Sequence, residues 1–124
     1  MAHRILVIED EQLLAEAMKE FLSGVGYDVD CAGEREEAEA LLAHYPYSLV
    51  ITDLALSPLG LTGVDILDSL ADQAKRPKVI VYSGHAGPTV VSLLGSQRVD
   101  VFLQKPQPLR EVARVAACLL EGYA

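Results

Sequence analysis

Four short apolar runs recur along the chain, each about as long as a β-strand. They are Ile5 to Ile8, Leu49 to Ile51, Val79 to Tyr82, and Val99 to Leu103. The first three are apolar at every position, which is the pattern of parallel strands that are buried on both faces. A fifth segment, Tyr27 to Cys31, alternates between apolar and polar residues and predicts a more exposed strand.

The segments between and after these runs carry apolar residues at helical spacing. Gly24 and Gly26 mark the end of the first helical stripe, Pro46 ends the second, and Pro108 suits the first turn of the last. Strand and helix therefore alternate five times, which predicts a parallel sheet with helices on both faces. The stripes are, in chain order, Leu14, Met18, Phe21, Leu22 and Val25; Ala38, Leu41, Leu42 and Tyr45; Ile66, Leu67 and Leu70; Val90, Val91 and Leu94; and Leu109, Val112, Ala113, Ala116, Leu119 and Leu120.

Length and charge bound the organisation and the partners of the chain. Its 124 residues suit one domain, so we expect a single domain over residues 1–124 with no effector domain. A formal net charge of −8 repels phosphates and argues against direct contact with DNA or RNA. No apolar run approaches the roughly 20 residues of a membrane span, and the N-terminus lacks the features of a signal peptide. We therefore expect no membrane insertion and a cytoplasmic location.

Reactive side chains stand where the predicted strands end. Glu9 and Asp10 follow the first strand, Asp53 the third and Lys105 the fifth, while Ser83 ends the fourth. Ligands of open parallel sheets bind outside the carboxyl ends of the strands. If strands one and three are neighbours, three carboxylates meet at one edge and repel one another. A hard divalent cation such as Mg²⁺ offsets this repulsion.

These groups are suited to phosphoryl transfer. A carboxylate oxygen is a competent nucleophile toward phosphorus and forms an aspartyl phosphate. The transfer requires neutralisation of the phosphoryl oxygens, which Mg²⁺, Lys105 and Ser83 would supply. Asp53 alone could be a helix cap or a loop carboxylate. With Asp10, Ser83 and Lys105 in register, the interpretation as a phosphoacceptor is favoured.

Four short motifs resemble the marks of response-regulator receiver domains. They are VIEDE at 7–11, VITDLAL at 50–56, VYSG at 81–84 and FLQKP at 102–106. They occur in the order of that family, each at the carboxyl end of a strand, and the resemblance covers the whole chain. It implies the flavodoxin-like fold, with five parallel strands in the order 2-1-3-4-5, and a role in a two-component or phosphorelay pathway.

The resemblance also implies a metal site and a phosphoacceptor. Asp53 would accept the phosphoryl group and would also bind Mg²⁺. Asp10 would be a direct Mg²⁺ ligand, Glu9 would act on the ion largely through water, and the backbone carbonyl of Ala55 would be the third protein ligand.

The same resemblance implies a switch at the other strand ends. Lys105 would pair with Asp53 or its phosphoryl group. Phosphorylation would draw Ser83 toward the site, where it would bond a phosphoryl oxygen. Phe102 matches the aromatic residue that turns inward when Ser83 moves, although an ordinary place in the core is an equal alternative.

Such a domain implies protein partners rather than a separate substrate. A histidine kinase or histidine phosphotransfer protein would supply the phosphoryl group, and the domain would catalyse only its own phosphorylation and dephosphorylation. The output would be a contact with a downstream protein target or a homodimer. Family analogy places the kinase-docking surface on Gln12, Leu13 and Ala15 of the first helix, with Pro106.

Three rival functions bear on this interpretation. Phosphatases with an aspartyl nucleophile carry a second acid two residues later, where Ala55 stands. A nucleotide- or flavin-binding module needs a glycine-rich loop after the first strand, where Glu9, Asp10 and Glu11 stand. A degenerate receiver that serves only as a protein-binding scaffold stays open, because residues 54–63 form a longer loop than the family's common one.

Overall fold

Five parallel strands form one sheet in the computed structural model, which describes residues 3–53, 76–84 and 99–122. The strand order is β2-β1-β3-β4-β5, so the order expected from the sequence is confirmed. The third and fourth predicted helices, Ala55 and the loop 54–63 lie outside the described residues. The strands are β1 Arg4–Ile8, β2 Asp28–Ala32, β3 Leu49–Thr52, β4 Lys78–Ser83 and β5 Val101–Gln104.

Three helices are described, α1 Gln12–Val25, α2 Arg35–His44 and α3 Leu109–Glu121. Gly26 follows the last residue of α1, and its φ of 118° is left-handed, which carries no steric penalty without a Cβ. Pro108 lies just before α3 rather than within its first turn, and its carbonyl accepts the N–H of Glu111. No helix in the described ranges is long and apolar enough to cross a membrane.

Both faces of the sheet are covered by helices, as the uninterrupted apolar runs predicted. Successive residues of a strand point to opposite faces, so strands that are apolar at every position can be buried on both. Helices α1 and α3 pack against one face and α2 packs against the other. The first face presents Ile5, Val7, Leu49, Ile51, Ile80 and Tyr82, and the second presents Leu6, Ile8, Val50, Val79 and Val81.

Three residues predicted for the apolar stripes are instead exposed. Phe21 is 39% exposed because it lies about 100° around α1 from the buried Leu22. Val25 is 54% exposed and is the last residue of α1. Tyr45 follows α2, and its ring covers the guanidinium of Arg4, which lies 4.0 Å from the ring centroid.

Two further expectations need correction. Ala15 was expected on an exposed docking surface, but it is only 6% exposed and faces the core from α1. Strand β5 begins at Val101 rather than at Val99. The side chain of Asp100 accepts the N–H of Val79 at 2.8 Å, taking the place of a backbone carbonyl in the ladder.

The sheet order fixes where side chains can meet. Strand β1 lies between β2 and β3, and Ile8 pairs with Thr52, so β1 and β3 end side by side. The chain connections run in opposite directions on the two sides of β1. This is the topological switch point at which ligands of such sheets bind.

Candidate functional site

Two acidic residues extend the strand pairing of β1 by one position, Asp53 after β3 on one side and Glu9 toward β2 on the other. The N–H of Asp53 donates to the carbonyl of Ile8 at 3.2 Å, and the N–H of Glu9 donates to the carbonyl of Ala32 at 2.9 Å. These bonds fix the backbone of both residues at the carboxyl edge of the sheet. Glu9 is only 4% exposed and Asp53 only 8%, so both carboxylates are largely removed from water.

Lys105 joins these two carboxylates. Its Nζ lies 2.5 Å from Oε1 of Glu9 and 2.8 Å from Oδ2 of Asp53. The predicted pairing of Lys105 with Asp53 is therefore present in the structure. Among the described residues, one ammonium group faces two carboxylates, and these three groups carry a net negative charge when both carboxylates are ionised. That excess charge favours a further cation.

Burial and pairing shift the protonation of this cluster in defined directions. Burial raises the pKa of Glu9, and the hydrogen bonds from Lys105 and from the N–H of Glu11 offset only part of the rise. Burial alone would lower the pKa of Lys105, but its hydrogen bonds to Asp53 and Glu9 outweigh burial and raise it. Lys105 therefore stays protonated well above neutral pH.

Ser83 holds the second oxygen of the Asp53 carboxylate. Its Oγ donates to Oδ1 of Asp53 at 2.8 Å, and the residue is completely buried. The sequence predicted that phosphorylation draws Ser83 toward the site. In this structure the hydroxyl is already there, because β4 extends beyond the end of β3, with Val81 opposite Thr52 and Ser83 two residues further on.

Phe102 is half-buried on β5. It packs against the core cluster that contains Val81 and Val99. Its ring therefore contributes to the core in this structure, which fits the ordinary alternative, and its role as a switch stays a prediction.

Asp10 follows Glu9 and is exposed at the same edge. Within the described ranges, no three His, Cys, Asp or Glu side chains are gathered into a ready metal site. The predicted meeting of three carboxylates is therefore incomplete, since Glu9 and Asp53 share Lys105 while Asp10 faces solvent. The donor chemistry still fits Mg²⁺, which takes one or two carboxylates and keeps several waters.

The turn that carries Lys105 is anchored to the end of β4. The N–H of Lys105 donates to the carbonyl of Ser83 at 2.9 Å, and the Lys105–Pro106 peptide bond is cis. The hydroxyl of Tyr82 accepts the N–H of Gln107 at 3.0 Å. Tyr82 ends the apolar run that begins at Val79, a pattern that predicts only a core residue. The signal for its second role was that a buried tyrosine hydroxyl usually finds a partner.

The sequence from residue 5 to residue 117 matches the family of response regulator receiver domains. The chain belongs to this family. The match spans most of the chain and includes all four strand ends described above. Receiver domains act in phosphorylation-based two-component signalling, and this function is favoured over that of a degenerate scaffold.

Curated relatives of this receiver domain are response regulators of greater length. The transcriptional regulatory protein QseB of Escherichia coli O157:H7 is 34% identical over 112 residues, which cover 89% of this chain and 49% of QseB. The DNA-binding response regulator MtrA of Mycobacterium leprae is 32% identical over 119 residues, covering 96% of this chain and 52% of MtrA. The receiver domain thus spans about half the length of these relatives.

Solved structures agree on the fold. A CheY-like receiver domain from Methanospirillum hungatei superposes with a TM-score of 0.90, covers 98% and 96% of the two chains and is 21% identical, which shows the fold alone. The non-phosphorylated HemR receiver domain of Leptospira biflexa has a TM-score of 0.83 at 30% identity, covering 95% and 94%. The response regulator TrrA of Thermotoga maritima, in complex with Mg²⁺ and BeF, has a TM-score of 0.80 at 30% identity, covering 95% and 99%.

Proposed function

We propose that this receiver domain accepts a phosphoryl group on Asp53 from a histidine kinase or a histidine phosphotransfer protein. The observation that carries the proposal is the environment of Asp53, whose two carboxylate oxygens contact Lys105 and Ser83. In the transfer, an oxygen of Asp53 forms a bond to phosphorus while the bond from phosphorus to the donor histidine nitrogen breaks. The domain catalyses this step on itself and turns over no separate substrate.

Lys105 and Ser83 have complementary parts in this step. The ammonium of Lys105 lies where it can neutralise negative charge on the transferred group, and it is held there by Glu9 as well as by Asp53. The hydroxyl of Ser83, which now donates a hydrogen bond to Asp53, can instead donate to a phosphoryl oxygen. Groups that are already oriented need no reorganisation during the reaction, and such electrostatic stabilisation is usually the largest catalytic contribution.

Magnesium is the metal that the proposal assigns to this edge. The carboxylates of Asp10 and Asp53 would hold it, with Glu9 acting through water, and the carbonyl of Ala55, outside the described residues, would be the third protein ligand. When bound, the ion would neutralise phosphoryl oxygens. The excess negative charge around Lys105 supports this assignment, as does the binding of Mg²⁺ and BeF by TrrA, which is 30% identical.

The donor would dock beside this edge. Gln12 and Leu13 begin α1 and are exposed, Leu13 to 78%, and Pro106 is exposed next to Lys105. Ala15 no longer belongs to this surface because it is buried. The assignment of Gln12, Leu13 and Pro106 rests on family analogy.

The output would be a change in protein contacts within the cytoplasm. Phe102 lies on β5 next to the phosphorylation edge, where its packing could report the state of Ser83. The partner would be a downstream protein or a second copy of the domain. QseB and MtrA are named as transcriptional and DNA-binding regulators, but the charge of −8 on this chain disfavours direct contact with nucleic acid.

The proposal is tested by intact-mass measurement after incubation with acetyl phosphate and Mg²⁺. We expect one added phosphoryl group on the wild type, none on Asp53→Asn, and none when EDTA removes the metal. As a matched control, Asp28→Asn changes an exposed acid at the far end of β2 and should label like the wild type. A wild type that stays unlabelled although it binds Mg²⁺ would restore the scaffold alternative.

A further inference from the structure

Tyr82 precedes Ser83 on β4 and is almost completely buried, at 3% exposure. Its ring belongs to the core between the sheet and helices α1 and α3. Its hydroxyl leaves that core and reaches the turn after β5, where it accepts the N–H of Gln107 at 3.0 Å and lies 3.4 Å from the carbonyl oxygen of the same residue.

The same side chain also contacts the functional group of Lys105. The Nζ atom lies 5.5 Å from the centroid of the Tyr82 ring, a distance at which an ammonium is attracted to the face of an aromatic ring. Tyr82 therefore touches the Lys105 turn at two places, the side-chain ammonium and the backbone two residues later.

The backbone of this turn has few other anchors in the described ranges. The N–H of Lys105 donates to the carbonyl of Ser83, and the side-chain amide of Gln107 donates to the carbonyl of Gln104 at 3.0 Å. Lysine is a point charge on a flexible stem of four carbons. Its position between two carboxylates therefore depends on where the turn holds the Cα atom and on what supports the stem.

We propose that Tyr82 is a positioning residue for phosphoryl transfer, which holds the ammonium of Lys105 between Glu9 and Asp53 through its ring and its hydroxyl. The inference rests on the proposed function of Asp53. A residue that only filled the core would need the ring alone, and phenylalanine would serve equally well. The hydroxyl fixes the turn, so Tyr82→Phe isolates the positioning role.

The chain offers a matched control in Tyr47. It is also buried, and its hydroxyl donates to Asp30 at 2.7 Å, but it precedes β3 at the opposite, amino edge of the sheet. Tyr47→Phe therefore loses a comparable hydrogen bond without touching Lys105.

The first test is a double-mutant cycle on the rate of labelling by acetyl phosphate with Mg²⁺. A displacement of a fraction of an ångström at a catalytic group can be costly, so we expect Tyr82→Phe to label about fivefold slower. Tyr47→Phe should stay within about twofold of the wild type, as expected for additive distant sites. In a Lys105→Ala background, Tyr82→Phe should change the residual rate by less than about twofold, because its effect passes through Lys105.

The second test observes Lys105 directly and needs neither labelling nor a folded Lys105→Ala variant. In NMR spectra, the two Hε protons of Lys105 should be resolved in the wild type, since a held side chain keeps them inequivalent, and they should converge in Tyr82→Phe but not in Tyr47→Phe. Wild-type rates and resolved signals in Tyr82→Phe would overturn the inference, as would an equal rate loss in both backgrounds. An unlabelled wild type with converging signals would overturn the function of Asp53 and leave the positioning role supported.

Discussion

Two buried carboxylates share a single ammonium group in this site, and this arrangement affects the stability of the fold. Glu9 and Asp53 are both removed from water, and Lys105 bonds to each of them. Desolvation of a carboxylate can exceed the gain from its ion pair. The pKa of Glu9 is raised, because burial of its carboxylate outweighs the hydrogen bond from Lys105.

Glu9→Gln should therefore make the metal-free domain more stable at neutral pH. The pKa of Glu9 is higher in the folded state than in the unfolded state. At a pH between these two pKa values, the folded state binds more protons than the unfolded state. The free energy of unfolding therefore falls as the pH rises from the lower pKa to the higher one. The glutamine has no such proton, so we expect a flatter pH profile and a higher free energy of unfolding than that of the wild type at pH 7.

Urea unfolding in EDTA between pH 4 and pH 8 measures this difference. Glu20→Gln, at an exposed site on α1, should leave the profile unchanged. Lower stability of Glu9→Gln than of the wild type at pH 7 would mean that the ion pair with Lys105 outweighs desolvation.

The sequence predicts which residues form the site better than how they contact one another. Asp53, Ser83 and Lys105 each stand at the end of a strand, and parallel strands bring such residues to one edge. The contact of Ser83 with Asp53 depends on side-chain directions at two strand ends, and the contact of Tyr82 with Gln107 depends on the backbone path of the turn 105–107. No periodicity encodes either of them. The exposure of Asp10 has the same origin, since it lies one residue beyond the last fixed backbone position.

At the scale of elements, α1 presents an apolar side to solvent. Leu13, Phe21 and Val25 are exposed while Ala15, Met18 and Leu22 face the sheet. The helical repeat predicted the burial of Met18 and Leu22 correctly and missed that of Ala15. The repeat could not show that Phe21 and Val25 are exposed. An apolar stripe that is wider than the contact with the sheet has the same sequence pattern as a stripe that is fully buried.

Leu13→Ala should separate docking from chemistry. If the donor docks on the start of α1, loss of a contact near the centre of the interface should slow phosphotransfer from a histidine kinase by about tenfold. Labelling by acetyl phosphate should be unchanged, because Leu13 does not contact Asp53 or Lys105 among the described contacts.

Val25→Ala is the matched control for this surface, since Val25 is an exposed apolar residue at the other end of α1. It should alter neither rate. Equal loss of both rates in Leu13→Ala, or an equal effect of Val25→Ala on transfer from the kinase, would contradict docking at the start of the helix.

At the scale of the whole molecule, the sheet order explains why the site lies where it does. The alternation of apolar runs and helical stripes predicted a parallel sheet covered on both faces, and the order places β1 and β3 together. The alternation alone left this pairing open, and the order 2-1-3-4-5 was implied by the resemblance to receiver domains. The exact start of β5 did not follow, because it depends on the hydrogen bond from Val79 to the Asp100 side chain.

Magnesium should stabilise the whole fold through this edge. A ligand at a hundred times its Kd contributes about 2.7 kcal/mol when it binds only the folded state, so Mg²⁺ should raise the Tm of the wild type by several degrees. Asp10→Asn should lose most of that rise, and NaCl at equal ionic strength should not reproduce it. The same rise in Asp10→Asn would place the ion elsewhere.

Phosphorylation of Asp53 is tested most directly by locating the phosphoryl group on the chain. Borohydride reduces an acyl phosphate to an alcohol, so the labelled aspartate becomes homoserine, which peptide mass spectrometry identifies by position. After labelling with acetyl phosphate and Mg²⁺, we expect homoserine at residue 53 and at no other acidic residue. Homoserine at Asp10 or at any other position, with Asp53 unmodified, would contradict it.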